Sequence, residues 1–298
     1  MDKNTVSFSR KDLILLALLT LIWGFNWPIM KIGVTNFPPL TFRVMGTIGA
    51  LPVLWLAARM QQASLRIPQG QFMTVVRLAI PNVLLWNFFM IAGITMLSSG
   101  RSAILGYTMP VWALIFGIIL FREHPNRLAW FGIACAFIGT LLLLSSEFGT
   151  LSGRPLGSIL MLCAAASWGY GTVRMKRATL PMPTIVLTFW MVLLASIVLS
   201  LYAIIFESAD WRMPNTGEWF AITYNAVLVF GFAFVVWFRL ARALPPVASG
   251  LSVMMIPVVG VFSGAWILGE TPHWQDYAAM ALILVSLATV LYKPKTSA

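Results

Sequence analysis

Trp23, Asn26, Trp27 and Met30 recur at spacings of three, four and seven residues within "LLTLIWGFNWPIMK". In an α-helix those spacings place all four on one face. Indole rings offer flat surfaces for stacking and cation–π contact, a carboxamide offers both donors and an acceptor, and a thioether fills irregular gaps. This is the chemistry of holding a solute, not of making bonds. The aromatic–amide pairing returns as Trp86 and Asn87 in "LLWNFFM" and as Tyr224 and Asn225 in "AITYNAVL". Trp168, Gly171, Thr172 and Met175 form a second stripe, and Tyr107, Ser252 and Met255 are further candidate contacts.

Catalytic chemistry lacks its parts. His124 and His273 lie far apart at loops, and no segment offers a nucleophile–base pair, metal-ligand spacing or a Gly-rich phosphate loop. The expectation is no enzyme, no catalytic residue, no metal and no cofactor. The nine acids are Asp2, Asp12, Glu123, Glu147, Glu207, Asp210, Glu218, Glu270 and Asp276, all at termini, loops or segment edges.

The elements that must position these side chains follow from composition. The chain is 59% hydrophobic and 10% charged, whereas a soluble domain carries about 25% charged residues. Apolar runs long enough to cross about 30 Å of hydrocarbon recur throughout. They predict an all-α integral membrane protein with ten transmembrane helices, at roughly 13–34, 40–58, 72–96, 101–121, 127–145, 155–177, 183–206, 217–240, 246–268 and 274–292. The apolar run after Lys3, Arg10 and Lys11 has no small-residue cleavage pattern and reads as an uncleaved first span. Cys135 and Cys163 fall within spans and suggest no disulfide framework. With the N-terminus inside, 15 Lys and Arg fall at cytoplasmic ends and 4 (Lys31, Arg101, Arg154 and Arg212) opposite, with Arg43 inside the second span. That split places both termini in the cytoplasm. The net charge of +11 then belongs to loops facing anionic lipid, and nucleic acid is not an expected partner.

The chain also repeats itself. Slid by 145 residues, "WGFNWPIMK" (Trp23 to Lys31) falls on "WGYGTVRMK" (Trp168 to Lys176), matching Trp, Gly, Met and Lys. Slid by 147, the segment from Ser102 to Pro125 falls on that from Ser249 to Pro272, aligning Pro110 with Pro257, Gly117 with Gly264 and Glu123 with Glu270. Five spans per half, an odd number, turn the second half over in the membrane. Two inverted-topology five-helix repeats, 1–148 and 149–298, are therefore expected, with a central site near the midplane as in many secondary transporters.

With "LIWGFNWPIMK" opening the first half, "PLTFRVMGTIGAL" in the second span and the paired "GIILFREHP" and "GAWILGETP" segments, the chain resembles the drug/metabolite transporter superfamily, in its EamA-like branch. The resemblance covers essentially the whole chain. It implies a multi-pass transporter of the cell (inner or plasma) membrane, often an exporter of amino acids or related metabolites, with the lipid bilayer and a small-molecule substrate as partners and no oligomer required. It also implies a cavity walled by spans 1, 3, 4, 6, 8 and 9, with spans 5 and 10 peripheral.

Trp23 lies about eleven residues into its span, some 16 Å deep, too deep for an interfacial aromatic belt. That depth favours a cavity wall over helix packing, and Trp168 has a similar depth. Large neutral or aromatic amino acids suit such walls. Hydrophobic or cationic drugs and nucleotide-type metabolites are the alternatives; the former lack a buried acid and the latter lack midplane cations. The related small multidrug resistance proteins use a mid-membrane glutamate, which has no counterpart here, so facilitated or exchange transport of a neutral or zwitterionic solute is expected, with proton coupling through another group left open. Pro28, Pro110 and Pro257 are candidate hinges, because proline removes a helical hydrogen bond. Arg43 reads as a structural or gating pair.

Overall fold

The computed structural model describes residues 10–122, 127–148, 155–237 and 246–291, with the side chains at several of these edges excepted. The described residues form ten helical rods. These are α1 (Arg10–Val34), α2 (Pro39–Met60), α3 (Phe72–Met96), α4 (Ser99–Phe121), α5 (Arg127–Phe148), α6 (Pro155–Arg177), α7 (Thr184–Glu207), α8 (Thr216–Trp237), α9 (Pro246–Leu268) and α10 (Trp274–Leu291). Seven of them, α1 to α4 and α6 to α8, are long and apolar enough to cross a membrane, and α5 and α9 contain shorter apolar stretches. His124, Glu123, Arg154 and both termini lie outside the described residues, as does the side chain of Ser252.

Local chemistry explains the helix ends. Pro39 opens α2 at a position where a missing N–H costs nothing. Asn215 and Glu218 form a reciprocal capping box at the start of α8. Ser98 accepts from the Arg101 amide at the start of α4. Arg122 closes α4 in a left-handed conformation at φ 54°.

Three rods are irregular inside. α4 breaks at Tyr107 and Thr108, immediately before Pro110, into Ser99–Gly106 and Met109–Phe121. Pro28 and Pro257 instead sit within continuous helices. α3 widens into a π-helical segment at Ile80–Leu85, with Pro81 in its first turn, and α8 does so at Tyr224–Ala233. Slid by 145 residues, the first π segment falls within the second.

Helix contacts come in exchanged pairs. α1 lies along α9 as α6 lies along α4; α3 lies on α6 as α8 lies on α1; α2 meets α7, and α5 meets α10. Glycines permit close crossings of α1 with α9 and of α6 with α4. A Cβ on Gly24 would stand 2.5 Å from Val259 Cβ, and one on Gly169 would stand 2.7 Å from Trp112 Cβ. These glycines follow Trp23 and Trp168. The repeated Trp-Gly pair therefore turns its glycine to the neighbouring helix and its indole to the centre of the bundle.

Gly24→Ala should destabilise the detergent-solubilised protein by about 1–3 kcal/mol, the usual cost of overpacking. Gly217→Ala, whose Cβ would meet nothing nearer than 3.4 Å, should leave the thermal midpoint unchanged. Equal midpoints for the two variants would refute the close α1–α9 crossing.

Candidate functional site

The π segments place the buried amides. A π turn leaves a carbonyl without its usual i+4 partner, and a short side-chain amide can fill the gap. Asn87 donates to Val83 O (2.7 Å), Asn82 to Leu78 O (2.9 Å) and Asn225 to Ala221 O (3.0 Å). Each Nδ2 is thereby pinned to its own helix and each Oδ1 is turned away from it. The Asn225 Oδ1 accepts from Arg43 Nη1 at 3.2 Å. The Oδ1 atoms of Asn87 and Asn26 have no hydrogen-bond partner among the described residues.

Those groups face a central cavity of about 80 Å³, lined by Trp23, Asn26, Trp27, Met30, Arg43, Trp86, Asn87, Met90, Tyr107, Met109, Trp168, Val229, Phe230, Phe234 and Trp237. Solute pockets usually span about 300–1,000 Å³, so this space holds only a few waters until it widens. A second cavity, about 410 Å³, adjoins it and reaches Lys176 and Ala178 at one end of the bundle. Trp168, Phe234 and Trp237 line both cavities and so form the partition between them.

The partition joins the two halves of the chain. The Phe234 ring meets Trp23 edge-on at 5.9 Å and Trp168 edge-on at 6.0 Å. Trp86 packs edge-on against Trp168 at 5.2 Å, and Trp237 leans on Trp23 at 5.7 Å. Trp27 meets Tyr107 at 6.3 Å across the cavity wall. Aromatic pairs of this kind contribute about 0.5–1.5 kcal/mol each beyond the area they bury, small enough to be exchanged in a conformational change.

The opposite end of the bundle, around Lys31, is bolted shut by polar bonds. The Lys31 ammonium donates to the carbonyls of Ile94 (2.7 Å), Thr95 (3.2 Å) and Leu97 (2.7 Å) at the end of α3. Glu207 accepts the Leu40 and Thr41 amides at the start of α2 (2.9 and 2.7 Å). Glu270 accepts the Ser99 amide (2.6 Å) and hydroxyl (2.9 Å) and the Gly100 amide (3.2 Å) at the start of α4. Arg101 pairs with Asp276 at 2.7 Å, and Arg212 pairs with Glu218. Carboxylates at helix N-termini are favoured by orphan amides and the helix dipole.

Arg43 is 2% exposed. Its Nη2 reaches the sulfurs of Met30 (2.7 Å) and Met90 (3.7 Å), its guanidinium lies over the rings of Phe42 (5.9 Å) and Phe230 (5.5 Å), and its Nε has no partner. No carboxylate pairs with it among the described residues. Depriving a buried ion of its partner costs about 3–5 kcal/mol, so this arrangement is expensive to maintain.

Of the residues singled out from the sequence, the cavity gathers Trp23, Asn26, Trp27, Trp86, Asn87, Tyr107 and Trp168. Three others stand elsewhere. The Tyr224 hydroxyl donates to Ile22 O at 2.7 Å and ties α8 to α1. Asn225 sits behind Arg43 as its acceptor. Met255 is 50% exposed on the outer side of α9. Sequence reasoning missed Met90, Met109, Val229, Phe230, Phe234 and Trp237, and it read Arg43 as a structural or gating pair. Phe234 had a legible signal, since it is the partner of Phe89 in the 145-residue slide.

Phe234→Ala should open the partition. In a background with Cys135 and Cys163 replaced by Ser, a Met109→Cys thiol should react severalfold faster with a water-soluble maleimide once Phe234 is truncated. An unchanged rate would place the barrier elsewhere.

Comparison with known proteins gives this arrangement its family. The model of the EamA-like transporter family matches twice, at residues 10–145 and 155–292. The "uncharacterized inner membrane transporter YedA" of Escherichia coli K12 is 28% identical over 293 residues, covering 94% of this chain and 92% of that protein. The "uncharacterized transporter YoaV" of Bacillus subtilis is 28% identical over 251 residues, covering 83% and 85%. A "probable amino-acid metabolite efflux pump" of Salmonella typhimurium is 25% identical, covering 94% of each chain. One solved crystal structure superposes with a TM-score of 0.66 at 21% identity over 95% of this chain and 98% of that one, a likeness of fold alone. The chain is a multi-pass membrane transporter and belongs to the EamA-like transporter family.

Proposed function

We propose that this transporter is a ten-span exporter of amino acids, large neutral or aromatic ones favoured, working by alternating access about the central cavity. Its two halves, 1–148 and 149–298, are inverted repeats, and both termini are cytoplasmic. The observation that carries the reading is the partition: Trp23 and Trp168, equivalent residues of the two halves, close on the same ring of Phe234. The exchanged pairs of helix contacts and the matching π segments support the repeat. The 15-to-4 split of basic residues across the expected spans, with Lys176 on the richer side, supports placing that end in the cytoplasm.

In this orientation the 410 Å³ vestibule opens to the cytoplasm and the bolted end faces outward. A solute enters from inside, the Phe234 partition yields, and the cavity widens around it. Release requires the Lys31, Glu207 and Glu270 bolts to part while the inner end closes. The two relatives bearing the name "probable amino-acid metabolite efflux pump" agree with this substrate class. Cationic drugs fit less well, because the cavity already holds a guanidinium with no acid beside it.

Counterflow into liposomes holding the purified protein tests the reading. Preloaded unlabelled leucine or phenylalanine should drive entry of the labelled amino acid, and Trp23→Ala or Trp168→Ala should abolish that exchange while leaving folded protein in normal yield. Exchange with a quaternary amine but no amino acid would return the protein to drug export.

A further inference from the structure

We infer that Arg43 is the carboxylate-binding residue of the central cavity, and that the amide oxygens of Asn26 and Asn87 take the ammonium group of the same solute. The bound molecule is then an α-amino acid gripped by its zwitterionic end, with its side chain among the tryptophans. This rests on the transport reading above and deepens it to the level of individual atoms.

The cation comes first. Every partner of Arg43 is neutral: the Asn225 oxygen at 3.2 Å, the Met30 sulfur at 2.7 Å, the Met90 sulfur at 3.7 Å and two phenyl faces. A guanidinium carries five N–H donors in a planar fork that fits a carboxylate through two parallel bonds. Thioether sulfurs are weak acceptors, easily given up for carboxylate oxygens, and Nε is unpartnered already. Among the described residues no anion stands there. Glu207, Glu218, Glu270 and Asp276 are all engaged at the bolted end, and Asp210 is exposed in the loop after α7. An anion at Arg43 therefore has to come with the solute.

The acceptors come second. Asn87 is 1% exposed and Asn26 is 8% exposed, yet the Oδ1 of each lacks a donor. The bond from Asn87 Nδ2 to Val83 O fixes which end of that amide faces the cavity. Buried acceptors without donors are costly, and both of these line the same small space as Arg43. A solute that satisfies all three needs one anionic group and one N–H-rich group. An α-amino acid has both on adjacent atoms. A plain carboxylate leaves the amide oxygens unmet, and a plain amine leaves Arg43 unmet. The rest of the lining is aromatic or thioether, with Val229 the one aliphatic side chain among the lining residues, and accepts any bulky apolar side chain.

Thermal stabilisation of the purified protein by four probes, L-phenylalanine, L-phenylalaninamide, phenethylamine and 3-phenylpropionate, tests the inference apart from transport. L-Phenylalanine should bind at least about tenfold more tightly than each of the others, because each leaves buried polar groups unpaired. Arg43→Gln should erase the preference for the acid over its amide, and Arg43→Lys should keep part of it. A merely structural arginine would weaken all four probes alike and leave their ranking unchanged. Phenylalaninamide or phenethylamine binding the wild type as tightly as phenylalanine overturns the carboxylate clamp, whether or not the Arg43 variants fold. Phenylpropionate binding as tightly as phenylalanine overturns the role given to the amide oxygens. Selective binding of phenylalanine with no counterflow would sink the exporter reading and leave the clamp standing.

Discussion

Hydrocarbon offers no hydrogen-bond partner, so every polar group carried into the spans must be satisfied by another part of the bundle or by something the bundle encloses. Most of the architecture follows from that. The π segments of α3 and α8 release carbonyls, and asparagine amides take them up. Lys31 spends its ammonium on three carbonyls at the end of α3. Glu207 and Glu270 cap the amides of helices drawn from the other half of the chain. Among the described residues, three of the six buried polar atoms left over, on Arg43, Asn26 and Asn87, border the central cavity; the other three are hydroxyls of Ser102, Thr184 and Ser286 away from its lining.

The two ends of the bundle are closed by different forces. The Lys31 end is held by directional, charge-assisted bonds, several of them at helix N-termini, which hold the rods in one register. The passage toward the Lys176 end is closed, among the described residues, by aromatic edges around Phe234. Aromatic contacts tolerate sliding and rotation, whereas a carboxylate on a helix N-terminus does not. On the proposed alternating-access reading, one end serves as the lock and the other as the yielding partition.

The Trp-Gly pair links packing to the site. Gly24 and Gly169 permit the close approach of α1 to α9 and of α6 to α4, and that approach fixes the angle at which Trp23 and Trp168 enter the cavity. A change in either crossing would move an indole that forms part of the partition. Helix packing and solute access are therefore mechanically coupled through adjacent residues.

The helices begin and end within a few residues of the apolar runs, because hydrophobic length and proline or glycine punctuation act locally. The aromatic stripe of the first span was equally legible, since α1 is regular across Trp23 to Met30 and 3.6-residue periodicity holds there. Periodicity fails at a π segment, where one extra residue per turn rotates everything after it by roughly 100°. For that reason helical spacing did not bring Phe234 or Trp237 to the cavity, although the repeat marked Phe234, while Tyr224, the first residue of the segment, bonds the α1 backbone. Met255 shows the same limit in another form: which side of α9 faces inward depends on where α9 settles against α1 and α4. Arg43 lies only a few residues from the end of α2, where a long side chain can snorkel outward or turn in. Composition, the approximate bounds of the helices and the facing of the first stripe were thus legible in the sequence. The rotation of each helix, the inward turn of Arg43 and the meeting of two half-chains on one phenylalanine were decided by tertiary packing, because they depend on contacts between residues far apart in the chain.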